Sequence, residues 1–330
     1  MTTLTHRERL EACLSGGALD RPPVALWRHF PVDDQTPDGL AAAVVHFQRS
    51  YDFDFVKVTP SSSFCLQDWG VRDEWRGDTE GVRAYTQFPI REPQDWERLK
   101  PLDPRSGWLG GQIASLHKII AALGPDVPVI QTIFNPLSQA KNMVGRDTLI
   151  VHLRRYPDAV LAGLRTIAET SQRFIEEARK TGIAGVFYAV QHAQYGLLSE
   201  QEYTTFGRAM DLQVLEAIHG CWLNVLHLHG DEVMFHLFQD YPLQVINWHD
   251  QETSPSLAEA QKTWKGAVCG GLRQWQTIVM GSPQEVQVEA HAAIQQTAGK
   301  RFILGTGCVT PITASHGNLM AVRNSVEKKS

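Results

Sequence analysis

Cysteine is scarce in this chain, and where it occurs excludes more than it offers. The five cysteines, at 13, 65, 221, 269 and 308, are odd in number and form no CxxC pair, so a disulfide framework is not expected and the thiols are free or act as ligands. No charge of one sign is concentrated either. Lys and Arg are scattered and the formal net charge is −5, which leaves no electrostatic footprint for nucleic acid or an anionic membrane and points to a small-molecule ligand. No apolar run approaches the ~18 residues of a membrane span. The opening MTTLTHRERLEACLSGG carries charges where a signal peptide needs an apolar core, so the expected location is cytoplasmic. Also missing are an internal repeat and a Gly-rich phosphate loop after the first apolar run.

What remains is a chain of 330 residues, 43% hydrophobic and 20% charged, long enough to bury a large core. Short β-rich runs alternate with helical patterns. The runs are PVALW (23–27), DFVKVT (54–59), VPVIQTI (127–133), GVFYAV (185–190), LNVLHLHG (223–230), QVINWHD (244–250), AVCGGL (267–272) and RFILGTGC (301–308). Between the third and fourth lies an amphipathic stretch, DTLIVHLRRYPDAVLAGLRTIAETSQRFIEEARKTG, with Gly182 as its C-cap. Eight strands alternating with helices predict one α/β domain over 1–330, a single (β/α)8 barrel. The tail from Ser325 reads as frayed.

One connection, 60–126, is too long for a simple βα unit. It holds a hairpin pattern around GDTEG and a capped helical turn, EPQDWERLKPLDP. Residues 60–110 are expected over the barrel mouth, either as a lid or as a local subdomain or dimer contact.

In a barrel of this kind the chemistry sits at the C-terminal ends of the strands, and here those ends are polar. The first run is followed by Arg28 and His29, the fourth by Gln191 and His192. The fifth ends in His227 and His229, the sixth in Asn247, His249 and Asp250, and the eighth in Cys308. Period two puts His227 and His229 on one face of their strand. Two imidazoles there, with a thiolate from Cys308 across the mouth, would make a three-donor zinc site with an open fourth position. The same spacing also allows neutral, hydrogen-bonded histidines lining a polar cavity beside a buried cysteine. Lys57 reads equally as an inward charge or as an amine reaching the rim.

The order of ALDRPPVALWRHFP, DFDFVKVTPSSSFCLQDWG, ERLKPLDP, FYAVQHAQYGLLSEQEYTTF, HLHGD, INWHD and LGTGCVTPITASHGNL resembles the uroporphyrinogen decarboxylase superfamily across nearly the whole chain. That resemblance implies a distorted (β/α)8 barrel. It also implies one of two activities: decarboxylation of a tetrapyrrole, or zinc-dependent methyl transfer from a corrinoid protein to a thiol. The decarboxylases carry an Arg-rich segment after the first strand, an Asp after the second and a His in the last. Here these places hold WRHFP, VTPSSS and GTGC. The methyltransferases hold zinc with His-x-Cys on the fifth strand and Cys near the eighth; His227 and Cys308 match, and His229 stands where the first Cys is expected.

The resemblance therefore implies a methyltransferase with zinc on His227, His229 and Cys308. In this reading His192, His249 and Asp250 are catalytic, and Arg28, Gln191 and Asn247 bind substrate. Asp231 and Asp250 would hold the imidazoles of the metal ligands. A corrinoid methyl donor, a corrinoid protein partner and a homodimer come with the resemblance. A metal-free decarboxylase using Arg28 and His192, and a corrinoid or tetrapyrrole carrier without chemistry, are the other readings.

Overall fold

The run Gly185–Val190 is buried at all six positions, which a strand tolerates only when both of its faces are covered. The computed structural model, which describes residues 3–327, shows what covers them. Its strands are β1 (Val56–Val58), β2 (Arg72–Glu74), β3 (Ala84–Gln87), β4 (Val129–Phe134), β5 (Gly185–Val190), β6 (Val225–Leu228), β7 (Val245–Trp248), β8 (Ala267–Leu272) and β9 (Phe302–Thr306). β2 and β3 form a separate antiparallel hairpin. The other seven make one parallel sheet in chain order, β1-β4-β5-β6-β7-β8-β9, buried throughout. Among the described residues no helix is long and apolar enough to cross a membrane.

The first β-rich run departs from expectation. Residues 23–27 form no regular strand, only a single parallel bridge from Val24 to Leu304. Pro22 and Pro23 lack the N–H groups that a ladder requires. The segment is nevertheless bonded on both sides. Ala25 N donates to Leu304 O and Leu304 N to Pro23 O, each at 2.9 Å, while Asp54 N donates to Val24 O at 2.8 Å. What forms is thus a curled seven-stranded parallel sheet whose two edge strands meet across one irregular segment.

The Asp54 side chain clasps that junction. Its carboxylate accepts from Val24 N at 2.8 Å, from Arg21 at 2.7 Å and from Arg9 at 2.6 Å, with His6 Nδ1 at 3.0 Å. Burial pushes the Asp54 carboxyl up, but the His6 hydrogen bond and the Arg21 and Arg9 charges outweigh it and hold it down at about 2.

The amphipathic stretch before β5 is two helices, Arg146–Arg155 and Pro157–Arg179, because Pro157 cannot continue the first and is well placed to start the second. Val160, Leu164, Ile167, Phe174, Ile175 and Ala178 make the buried stripe of the second helix. It ends at Arg179, and Gly182 lies beyond it at φ 94°.

The long connection divides into two parts. The β2–β3 hairpin is stitched to loops at one end of the sheet: Ile312 N donates to Thr79 O, Trp275 Nε1 to Glu80, and Arg83 to Pro31 O. Gly81 sits where a Cβ would come 2.6 Å from that of His29. The rest turns away. Trp96 is fully buried, donates to His152 Nδ1 at 3.0 Å and packs on Gly163 of the helix Pro157–Arg179. Of the tail expected to fray, Ser325 and Val326 are buried; residues 328–330 lie outside the described residues.

Candidate metal centre

β6 ends with Leu226 and Leu228 fully buried on one face and His227 on the other, and His229 follows on the His227 side. The β6–β7 register sets His227 beside Asn247, so two residues further on His249 arrives next to His229. Cys308 comes from the turn after β9. Gly307 makes that approach possible, since a Cβ there would lie 2.8 Å from His249 Cα and 2.9 Å from Trp248 O. Gly307 thus serves the meeting of two backbones rather than the approach of a ligand.

The result is a cluster of His227, His229, His249 and Cys308 whose ligand atoms all lie within 4.8 Å of one another. Cys308 Sγ is 3.7 Å from His227 Nε2 and 3.6 Å from His229 Nδ1, and His249 Nε2 is 3.4 Å from His229 Nδ1. Nitrogen and sulfur donors bound tetrahedrally to zinc stand about 3.3–3.6 Å apart, given bond lengths of ~2.0–2.3 Å. Those three pairs are close to that spacing. His249 adds a fourth donor, where the three-donor arrangement expected from the sequence would have left a position open.

Hydrogen bonds set the tautomers of two of the imidazoles. Asn247 Nδ2 donates to Cys269 O at 2.9 Å and Thr306 O at 3.0 Å, so Oδ1 is the atom 2.7 Å from His227 Nδ1. A carbonyl oxygen only accepts, so the proton sits on Nδ1 and the Nε2 lone pair faces Cys308. Glu252, 3.1 Å from His249 Nδ1, does the same for His249. Burial pushes the Cys308 thiol up, yet His227, helped by His229 and His249, outweighs it and draws the thiol well below its usual range. A thiolate with three imidazoles is a donor set that zinc accepts.

The cluster opens into a cavity of about 360 Å³. Phe187 stacks on His227 with ring centroids 5.3 Å apart, and Trp27 meets Phe187 edge-on at 5.2 Å. Lys57 Nζ lies 4.5 Å from the Phe187 ring centroid, and burial pushes its ammonium down to about 7. Lys57 is therefore an inward-facing group, lining the cavity beside His29.

The expected site residues separate into those that line the cavity and those that do not. Gln191, His192, His227, His229 and Cys308 line the cavity. Arg28 does not; it alternates with Trp27 and His29 and lies over the rings of Phe30 and Phe47, at 5.3 and 5.2 Å. Asn247 is fully buried with its amide committed behind His227, which removes it from the substrate-facing place expected of it. Asp250 points away from the cluster and accepts from Gly271 N. The support expected from Asp231 and Asp250 comes instead from Asn247 and Glu252. Glu252 was signalled only by its place three residues after His249.

The chain belongs to the uroporphyrinogen decarboxylase (URO-D) family, whose profile matches residues 5–329. Among solved structures it is similar to a methyltransferase from Methanosarcina mazei, with a TM-score of 0.85 at 17% identity, covering 98% of each chain. It is also similar to a B12-independent methionine synthase from Shewanella, solved with selenomethionine, with a TM-score of 0.60 at 14% identity, covering 94% of this chain and 95% of that one. At such identities the likeness is one of fold. No match was found among curated protein sequences.

Replacing Gly307 with Ala is expected to push the Cys308 turn away from β7. The neighbours are backbone atoms that cannot swing aside, so zinc affinity should fall roughly 10- to 100-fold, as when a supporting group of a metal site is lost. A zinc titration of folded variant protein with wild-type affinity would show that the close approach is unimportant.

Proposed function

We propose that the protein is a zinc-dependent methyltransferase that moves a methyl group, supplied by a corrinoid carrier, to a small acceptor such as a thiol. The observation that carries this reading is the set of His227, His229, His249 and Cys308, whose ligand atoms lie within 4.8 Å of one another at the wall of a cavity. Zinc, when bound, supplies the positive charge that lowers the pKa of a coordinated thiol. The chain's own residues do the rest. Asn247 and Glu252 hold the imidazoles of His227 and His249 in their ligating tautomers, and Trp27 and Phe187 keep water from the floor. Gln191 and His192 orient the acceptor, and the β2–β3 hairpin covers the mouth, with residues 23–25 completing the barrel as its eighth stave. Asp250 acts through the backbone of Gly271 rather than on substrate.

Three imidazoles and one thiolate leave a zinc site with net charge +1, which favours the acceptor as an anion. His227, His229, His249 and Cys308 would hold the zinc, and bound there it would supply the charge that favours the thiolate form of the acceptor. The cavity, at about 360 Å³, lies at the low end of ligand pockets, roughly 300–1,000 Å³. That suits a small acceptor better than a tetrapyrrole held inside. A corrinoid would meet the protein at the mouth, on its carrier.

Zinc-loaded protein is expected to demethylate methylcobalamin in the presence of a small thiol, and the activity should disappear on chelation and return with zinc. Under anaerobic conditions uroporphyrinogen should remain unconverted, because the second run ends in Thr59 without the Asp that would meet the pyrrole N–H groups. Formation of coproporphyrinogen by metal-free protein would overturn the reading.

A further inference from the structure

Behind β5 lies a fully buried carboxylate that the metal centre does not use. Asp211, in the helix Ala209–Leu215, is 0% exposed. It accepts four hydrogen bonds, all from neutral groups. Tyr188 OH and Asn135 Nδ2 meet Oδ1 at 2.9 and 3.0 Å, and Tyr203 OH and Tyr241 OH meet Oδ2 at 2.5 and 2.9 Å. These four donors fill the lone-pair sites of a carboxylate. Tyr188 alternates along β5 with Phe187 and Ala189, which line the cavity, so Asp211 stands behind the wall that they form.

From Asp211 a chain of hydrogen bonds returns to the cavity, and each group in it has only one way to face. Asn135, fully buried before the helix Pro136–Val144, gives its amide nitrogen to Asp211 and turns its oxygen to Ser138 N at 3.0 Å. The Ser138 hydroxyl gives its proton to that same oxygen. Its lone pairs are left for Gln191 N, which donates to Ser138 Oγ at 3.0 Å. Gln191 is the first residue beyond β5, and both Gln191 and His192 line the cavity. Gln191 Oε1 and both ring nitrogens of His192 have no hydrogen-bond partner among the described residues. Their side chains are thus aimed by the backbone, and the backbone is held from behind.

We infer that Asp211 is a positioning residue of the cavity: through Asn135 and Ser138 it fixes the Gln191 amide, and with it the angle at which Gln191 and His192 meet a ligand. Resting on the proposed function, that ligand is the methyl acceptor, so loosening the chain weakens acceptor binding and leaves the chemical step in place. The positioning itself does not need the metal.

Hydrogen exchange at individual amides tests the chain, and methylcobalamin demethylation with 2-mercaptoethanol tests its consequence. Ser138→Ala cuts the chain at its cavity end and leaves the three tyrosines on Asp211. It is expected to speed exchange at Gln191 roughly tenfold, as the loss of one hydrogen bond brings, with the amides of β7 and β8 unchanged. KM for the thiol should rise by a similar factor while kcat is retained. Asp211→Ala should free Gln191 in the same way. Asp211→Asn should restore it, because an amide still accepts from Asn135 and Tyr188 and can donate to the other two hydroxyls. Should Asp211→Ala not fold, Ser138→Ala and Asp211→Asn decide. Unchanged exchange at Gln191 in Ser138→Ala or in folded Asp211→Ala overturns the inference. So does faster exchange throughout the sheet of Ser138→Ala, an Asp211→Asn protein whose Gln191 is freed, or a wild-type KM in a variant whose Gln191 is freed. If zinc-loaded wild type demethylates no methylcobalamin while the exchange pattern is the expected one, the positioning stands and the methyltransferase reading fails.

Discussion

Replacing Cys308 with alanine is expected to cost the protein its zinc. Structural zinc binding is worth about 10–16 kcal/mol at neutral pH. Shared among the four donors, that is about 2.5–4 kcal/mol each, or roughly two to three orders of magnitude in affinity. Cys308 should stand at the upper end because its thiolate is the only negative charge in the set, and three imidazoles alone leave the full +2 of the ion uncompensated. His249→Ala should weaken binding less, since a three-donor arrangement with a water remains viable. Asn247→Leu removes no ligand but frees the His227 tautomer, so a loss of about 10- to 100-fold is expected. Competition against a chelating indicator measures all three. A Cys308→Ala protein that titrates like wild type would leave the histidines as polar lining.

The second large effect concerns stability. Asp54→Ala is expected to lower the free energy of unfolding by about 3–5 kcal/mol, because it takes the buried carboxylate from Arg9 and Arg21, leaving them only Asp20 and Glu327, and releases Val24 N. Denaturant unfolding followed by circular dichroism reads this directly, and a loss below about 1 kcal/mol would show the clasp to be ornamental. Its pH dependence has a definite sign. The folded-state carboxyl is held down at about 2 against an ordinary value of 3.8. Its contribution, about 2 kcal/mol, is therefore full above pH 4 and is lost as pH falls through 2. Wild type should weaken across that window by more than the Asp54→Ala variant does.

Much of this architecture is legible in the sequence. Seven of the eight β-rich runs are strands of the parallel sheet, and a buried run has few other ways to satisfy its backbone. HxH at a strand end places His227 and His229 on one face from period two alone. The same rule applied to WRH puts Trp27 and His29 together and Arg28 on the opposite side, so its place over Phe30 and Phe47 was open to reading. Other features depend on register between strands that are distant in sequence. Nothing in QVINWHD says that Asn247 lies opposite His227, and that pairing both brings His249 into the cluster and turns Asn247 into its support.

The prolines before Val24 carried a warning against a regular strand, but the bonds that hold residues 23–25 come from Leu304 and Asp54, 280 and 30 residues away from Val24. The division of the long connection was hidden for a similar reason. Trp96 leaves the cavity because Gly163, on a later helix, offers it a place to pack.

The central claim is that one zinc ion is held by three imidazoles and one thiolate. X-ray absorption at the zinc edge, on protein purified without chelator and analysed for metal content, tests it most directly. The expected result is one zinc per chain with a single sulfur at about 2.3 Å and the remaining donors nitrogen or oxygen at about 2.0–2.1 Å. A shell without sulfur, or protein that stays metal-poor when offered zinc, would contradict it.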